Sequence, residues 1–154
     1  MRLLRKILLA IGIVFIGIQF IQPAHNKSEQ VLETDISKII LLPSNIDTLL
    51  KNACFDCHSN NTTYPWYANI QPMAWLMANH INNGKAMLNF SEFGKLSKRK
   101  QISKLNSISN SIKDKSMPLS SYILMHNKAQ LSKVEKELLI NWIQQSLDSL
   151  NLKN

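Results

Sequence analysis

The stretch Asp47-Thr48-Leu49-Leu50-Lys51-Asn52-Ala53-Cys54-Phe55-Asp56-Cys57-His58 contains both cysteines of the chain, three positions apart, with a histidine directly after the second. Cys-x-x-Cys-His is the spacing of covalent haem attachment. Two thiols on one turn can each add across a vinyl group of a porphyrin, and the next side chain then lies under the ring where iron takes an axial nitrogen. The stretch predicts one covalently attached haem c, held by Cys54 and Cys57, with His58 as the proximal iron ligand.

The same residues admit other chemistry. A Cys-x-x-Cys pair can cycle between dithiol and disulfide, but its thiolate then favours a helix N-terminus. The apolar spacing Ile46, Leu49, Leu50, Ala53 instead predicts a helix ending at Cys54, whose dipole opposes a thiolate. Zinc would need Cys54 and Cys57 with two of His58, His80 and His126. Adjacent Cys57 and His58 converge poorly on one tetrahedral ion, and no His-x₃₋₅-His pair is present. A structural disulfide followed by an unrelated histidine is the plainest alternative.

With 154 residues, 45% of them hydrophobic, the chain can form one domain with its own core plus a targeting segment. Arg2, Arg5 and Lys6 precede a run from Ile7 to Ile21 broken only by the polar Gln19, the pattern of an export signal. Residues 1–23 are therefore expected to be a signal peptide or signal anchor. Gln22-Pro23-Ala24-His25 lacks a small-x-small cleavage site, which favours an uncleaved membrane anchor over a soluble periplasmic product. The positive flank stays in the cytoplasm, so the rest is expected on the periplasmic side of the inner membrane. Covalent attachment suits a compartment without a haem reservoir.

Beyond residue 25 the chain has 15 basic and 10 acidic groups, a net charge of +5. That balance suits acidic exported redox partners or an anionic surface. Lys95, Lys98, Arg99, Lys100 and Lys104 form a candidate docking cluster, although such a run is more often simply solvated. No groove-reading motif points to nucleic acid.

Residues 24–42 read as a tether whose last part, Ile39-Ile40-Leu41-Leu42, packs on the domain, and residues 43–152 as the haem-binding domain. Ser44 is the expected cap of the first domain helix, with Asp47 near its positive end. Asn60 to Tyr67, rich in turn formers, is expected to wrap the porphyrin edge. Pro72 suits the start of a second helix, and Gly84 its end. Ser97 starts a third with the stripe Ile102, Leu105, Ile108, Ile112. Ser132 and Glu135 form a capping box for the last, with Val134, Leu138, Trp142 and Ile143 on one face. No strand alternation is visible, so the fold class is all-α.

A six-coordinate iron needs a second axial ligand, with candidates Met117, His80, His126, Met73, Met77 and Met87. Met117 is preferred: it precedes Pro118, which stiffens its loop, and lies far enough beyond His58 for the chain to pass around the ring. Met73, Met77 and His80 share one helix face and read as core packing. His80 remains the alternative ligand, since a buried imidazole needs a partner.

Cys54 to His58, Met117-Pro118 and then Leu131-Ser132-x-x-Glu135-x-x-x-Leu139-x-x-Trp142 resemble a class I c-type cytochrome. More narrowly, Cys57-His58-Ser59-Asn60-Asn61-Thr62, Tyr64-Pro65-Trp66-Tyr67, His80, Gly84-Lys85, Leu88-Asn89-Phe90-Ser91-Glu92-Phe93 and Met117-Pro118-Leu119-x-x-Tyr122 resemble the small exported haem-binding domain proteins of Bacteroidetes-like bacteria. The resemblance covers roughly residues 35–145 and implies haem binding with electron transfer. Trp66, Tyr67, Trp75, Phe90, Phe93 and Tyr122 are expected to wall the porphyrin, and Pro65 or Pro72 to offer a carbonyl to the second nitrogen of His58. The expected function is a monohaem electron carrier. A gas or redox sensor with an open sixth position is the alternative, and an enzyme such as a peroxidase is not expected for want of a distal acid/base pair.

Overall fold

The computed structural model describes residues 1–28 and 30–152. All regular structure among them is helical: α1 Arg2–Ile18, α2 Ile36–Ile39, α3 Ser44–Ala53, α4 Phe55–His58, α5 Met73–Met87, α6 Lys98–Lys113, α7 Ser120–Met125 and α8 Lys133–Leu152. Short 3₁₀ turns occupy Trp66–Asn69, Phe90–Lys95 and Asn127–Ala129.

The core lies between α3, α6 and α8. Ile46 and Leu50 of α3, Leu105 and Ile112 of α6, and Leu139, Trp142 and Ile143 of α8 are buried around Phe90 and Phe93. Each such side chain stabilises the fold by roughly 1.5–3 kcal/mol relative to exposure. The expected stripe of α6 is observed, with Leu105 and Ile112 buried and Ile102 and Ile108 packed beside them. The capping box of α8 also forms, Ser132 N–H donating to Glu135 Oε2 at 2.8 Å and Glu135 N–H to Ser132 Oγ at 3.3 Å. The buried face of α8 is displaced from expectation. Val134 and Leu138 are exposed, and Leu139, Ser146, Leu147 and Leu150 are buried with Trp142 and Ile143, because at about 100° per residue positions 134 and 138 fall outside the stripe that these six share.

Two helix boundaries differ from the sequence reading. Ser44 is the first residue of α3 and makes no cap; Pro43 precedes it in extended backbone. Helix α5 runs through Gly84 to Met87. A β-carbon at Gly84 would lie 2.5 Å from the Cys57 carbonyl oxygen, so this glycine serves close packing rather than termination.

The stretch before α3 is held at both ends. Thr34 Oγ1 donates to Ser91 O at 3.0 Å, and Gly94 N–H to Thr34 O at 2.7 Å. Asn26 Nδ2 donates to Ser59 O and Thr62 Oγ1, and Lys85 Nζ donates to Asn26 Oδ1. The early part of the expected tether is thus fastened to the domain, because Asn26 satisfies polar groups of the turn after His58.

Helix α1 has no buried residue. Its 17 residues span ~26 Å at ~1.5 Å each, against a hydrocarbon core of ~30 Å. Among the described residues, no helix is long and apolar enough to cross a membrane.

Candidate functional site

Helix α3 stops at Cys54 because the backbone there leaves the helical region, at φ −131° and ψ −44°. The chain turns at once into α4, with Cys57 N–H and His58 N–H both donating to Cys54 O. Cys54 therefore ends one helix and starts a single further turn, so the dipole argument from sequence covers only half of its surroundings. Desolvation acts against a thiolate at both positions. It pushes the Cys54 thiol up to about 12, with the charge of Cys57 adding to the rise, and the Cys57 thiol up to about 11, aided by the charge of Asp56. Both cysteines are free thiols. A pair kept protonated at neutral pH is a poor redox dithiol.

The single turn of α4 puts Cys54, Cys57 and His58 on one wall of a cavity of about 320 Å³. Helix α5 contributes His80, Asn83, Gly84 and Met87 to it, α6 contributes Lys104, Ile108 and Ile112, and the chain before α7 contributes Met117, Pro118 and Leu119. Every residue expected from sequence to attach or ligate the cofactor, Cys54, Cys57, His58, Met117 and the alternative His80, thus lines one cavity. Met87, another candidate, lines it too, whereas Met73, Met77 and His126 line a second cavity that His80 and Cys57 border from the other side.

His58 Nδ1 lies 3.0 Å from Leu88 O, a bond in which the nitrogen donates. Nδ1 thereby carries the proton, and Nε2 keeps its lone pair for a metal. The carbonyl comes from the end of α5, not from Pro65 or Pro72. The His80 side chain makes no hydrogen bond among the described residues and is half-buried. Met117 is 39% exposed, at the end of an exposed run from Lys113.

The aromatic residues are arranged otherwise than expected, and none of the six lines this cavity. Phe90 and Phe93 are in the core, and Trp66 faces solvent. Tyr67 and Tyr122 line the second cavity. The walls are aliphatic instead: Ala53, Leu88, Ile108, Ile112, Leu119 and Leu131. The Asn60–Tyr67 loop also turns away from the cavity, its backbone tied to Asn26 and Ser91. Aromatic content predicts that apolar surface will be buried, not which cavity it serves.

Sequence reading missed Asp56, the residue inside the motif. Its Oδ2 accepts from Tyr122 O–H at 2.6 Å and its Oδ1 from Thr63 N–H at 2.8 Å, fastening α4 to α7. Burial, then the bond and charge of Asp56, push the Tyr122 hydroxyl far above its ordinary range. His126 stacks on Tyr122 at 4.0 Å and lies 3.3 Å from Tyr67 O–H, which completes this polar wall.

A family model for the haem-binding domain matches residues 13–145. The chain belongs to the haem-binding domain family. No curated protein and no solved structure matches it. The haem-binding domain thus has haem as its cofactor, and the cavity suits that group. It is lined almost wholly by apolar surface, it offers the free imidazole nitrogen iron requires, and its volume lies at the low end of small-molecule sites. Lys104 is the one Lys or Arg on its lining among the described residues, and would be the residue to pair with a propionate. Among the described residues, no three His, Cys, Asp or Glu side chains gather as a metal site, so the zinc set of the sequence reading is not assembled.

Proposed function

We propose that the haem-binding domain is a monohaem c-type electron carrier on the periplasmic side of the inner membrane, anchored through α1. Cys54 and Cys57 would form the thioether bonds, each S–H adding across one vinyl group so that no oxidant is consumed. His58 Nε2 would be the proximal ligand and Met117 the sixth, with His80 as the alternative. The observation that carries this reading is the His58–Leu88 hydrogen bond, which leaves Nε2 unprotonated on a histidine that lines the same cavity as both cysteines and Met117.

The protein's part in such a function is positional. The Leu88 carbonyl fixes the imidazole tautomer, Gly84 lets α5 approach the motif, and the aliphatic wall limits water near iron, which raises the potential. Lys85, Lys95, Lys100 and Lys104 line an adjoining surface cleft with Met87 and Leu88; Glu92 pairs with Lys95 there at 2.7 Å, and the positive charge left over suits an acidic redox partner. Catalysis is not part of this proposal.

The exposure of Met117 favours one second reading, a gas or redox sensor whose sixth ligand is weakly held. Spectra of the purified haem protein separate the two. An electron carrier is low-spin in both oxidation states and does not bind carbon monoxide readily, whereas a high-spin ferrous form that takes up carbon monoxide would make it a sensor.

A further inference from the structure

The chain leaving α1 is fastened to one face of the helical domain. Gln19, the polar interruption in the apolar run, accepts from Gln71 N–H at 2.9 Å through Oε1. The Gln71 side chain, 1% exposed, donates to Ile21 O at 2.7 Å, and the Trp75 indole donates to the same oxygen at 3.1 Å. Gln22 Nε2 donates to Asn69 O at 3.2 Å. These bonds join the exit of α1 to both the Trp66–Asn69 turn and the start of α5.

The segments joined here expose apolar side chains. Trp66 is 75% exposed, and Ile70, Trp75 and Leu76 are each at least 39% exposed; on the exiting chain Phe20 is 85% and Ile21 60% exposed. Two joined segments that expose two indoles and four aliphatic or aromatic side chains are unusual on a water-facing surface. Tryptophan with its N–H bonded and its ring uncovered suits the headgroup layer of a bilayer.

The length of α1 supplies the second argument. An embedded helix of ~26 Å falls short of the ~30 Å core, and a short span is accommodated by drawing its flanks inward. Phe20 and Ile21 extend the apolar run right up to the point where Gln71 and Trp75 hold it, so there is no polar spacer to keep the domain away.

We infer that the face made by the Trp66–Asn69 turn and the start of α5 docks into the interfacial layer of the bilayer that α1 enters. This rests on the proposed anchoring through α1. The domain would then sit on the membrane in one orientation instead of swinging on a tether, which restricts the approach of redox partners to its remaining faces.

Photolabelling tests it on the full haem-loaded chain. The protein is placed in phosphatidylcholine–phosphatidylglycerol vesicles containing a phospholipid with a diazirine near the headgroup end of its acyl chain, irradiated, and mapped by mass spectrometry. Adducts are expected on α1 and on residues 66–76, well above those at Val134 or Leu152, which are exposed and apolar elsewhere. Trp66→Ser with Leu76→Ser, both at the surface, should reduce labelling of 66–76 several-fold and leave α1 labelled. Adducts on α1 with only background at 66–76 would overturn the docking while leaving the anchor intact; no adducts on α1 would overturn the anchor itself. A detergent-stable dimer broken by the same double substitution would show a second copy, not lipid, on this face, and would also overturn the inference.

Discussion

Gly84 and Cys57 meet backbone to backbone: a β-carbon on Gly84 would be 2.5 Å from the Cys57 carbonyl oxygen and 3.1 Å from its carbon. Helix α5 can therefore bring His80, Met87 and the Leu88 carbonyl to the motif only while position 84 has no side chain. Gly84→Ala should force the two elements apart at a cost of about 1–3 kcal/mol, the usual penalty for overpacking. Urea unfolding of the haem protein gives the number, and an unchanged midpoint would contradict the contact.

Met117 and His80 line the same cavity, and substitution distinguishes them. Met117→Ala should abolish the weak thioether-to-iron absorption of the ferric protein, while His80→Ala should leave it in place. Absence of that band from the unsubstituted protein, with low-spin character lost on His80→Ala and kept on Met117→Ala, would make His80 the sixth ligand.

Tyr122→Phe removes the 2.6 Å hydrogen bond to Asp56 Oδ2. A hydrogen bond to a charged group contributes about 1.5–3 kcal/mol, with the lower end expected here because Asp56 is only half-buried and water can replace the hydroxyl. The denaturation midpoint should fall by that measure with the axial ligation unchanged in the visible spectrum.

In protein purified without haem, both thiols should resist alkylation at neutral pH. Burial raises Cys54 to about 12 and Cys57 to about 11 from an ordinary 9.0, so the reactive thiolate is scarce below those values. Since the folded thiols hold their protons more tightly than the unfolded ones, stability is full below about 9 and declines as pH rises through 11 to 12. Iodoacetamide rates measured against pH report the first effect and thermal melts the second; a reaction midpoint near 9 would contradict the burial.

The legible features were local. The motif turn, the α6 stripe and the Ser132–Glu135 box depend on residues within a few positions of one another, and all three are observed. The Leu88 carbonyl was not legible, because a backbone acceptor 30 positions from His58 has no side-chain signature. Gly84 has the composition of a helix stop, yet it has no positive φ, and its role depends on a partner distant in sequence. The bulk of Trp66 and Tyr67 predicts apolar contact, but bulk alone cannot distinguish a cavity, a core and an exposed face.

The central claim, covalent attachment of haem through Cys54 and Cys57, is tested most directly by the alkaline pyridine spectrum of the reduced protein. Two saturated thioether links shift the absorption band to the position characteristic of haem c, and the haem stays with the protein through acidified acetone. A band at the position of unmodified vinyl haem, with the haem extracted into the acetone, would contradict the account.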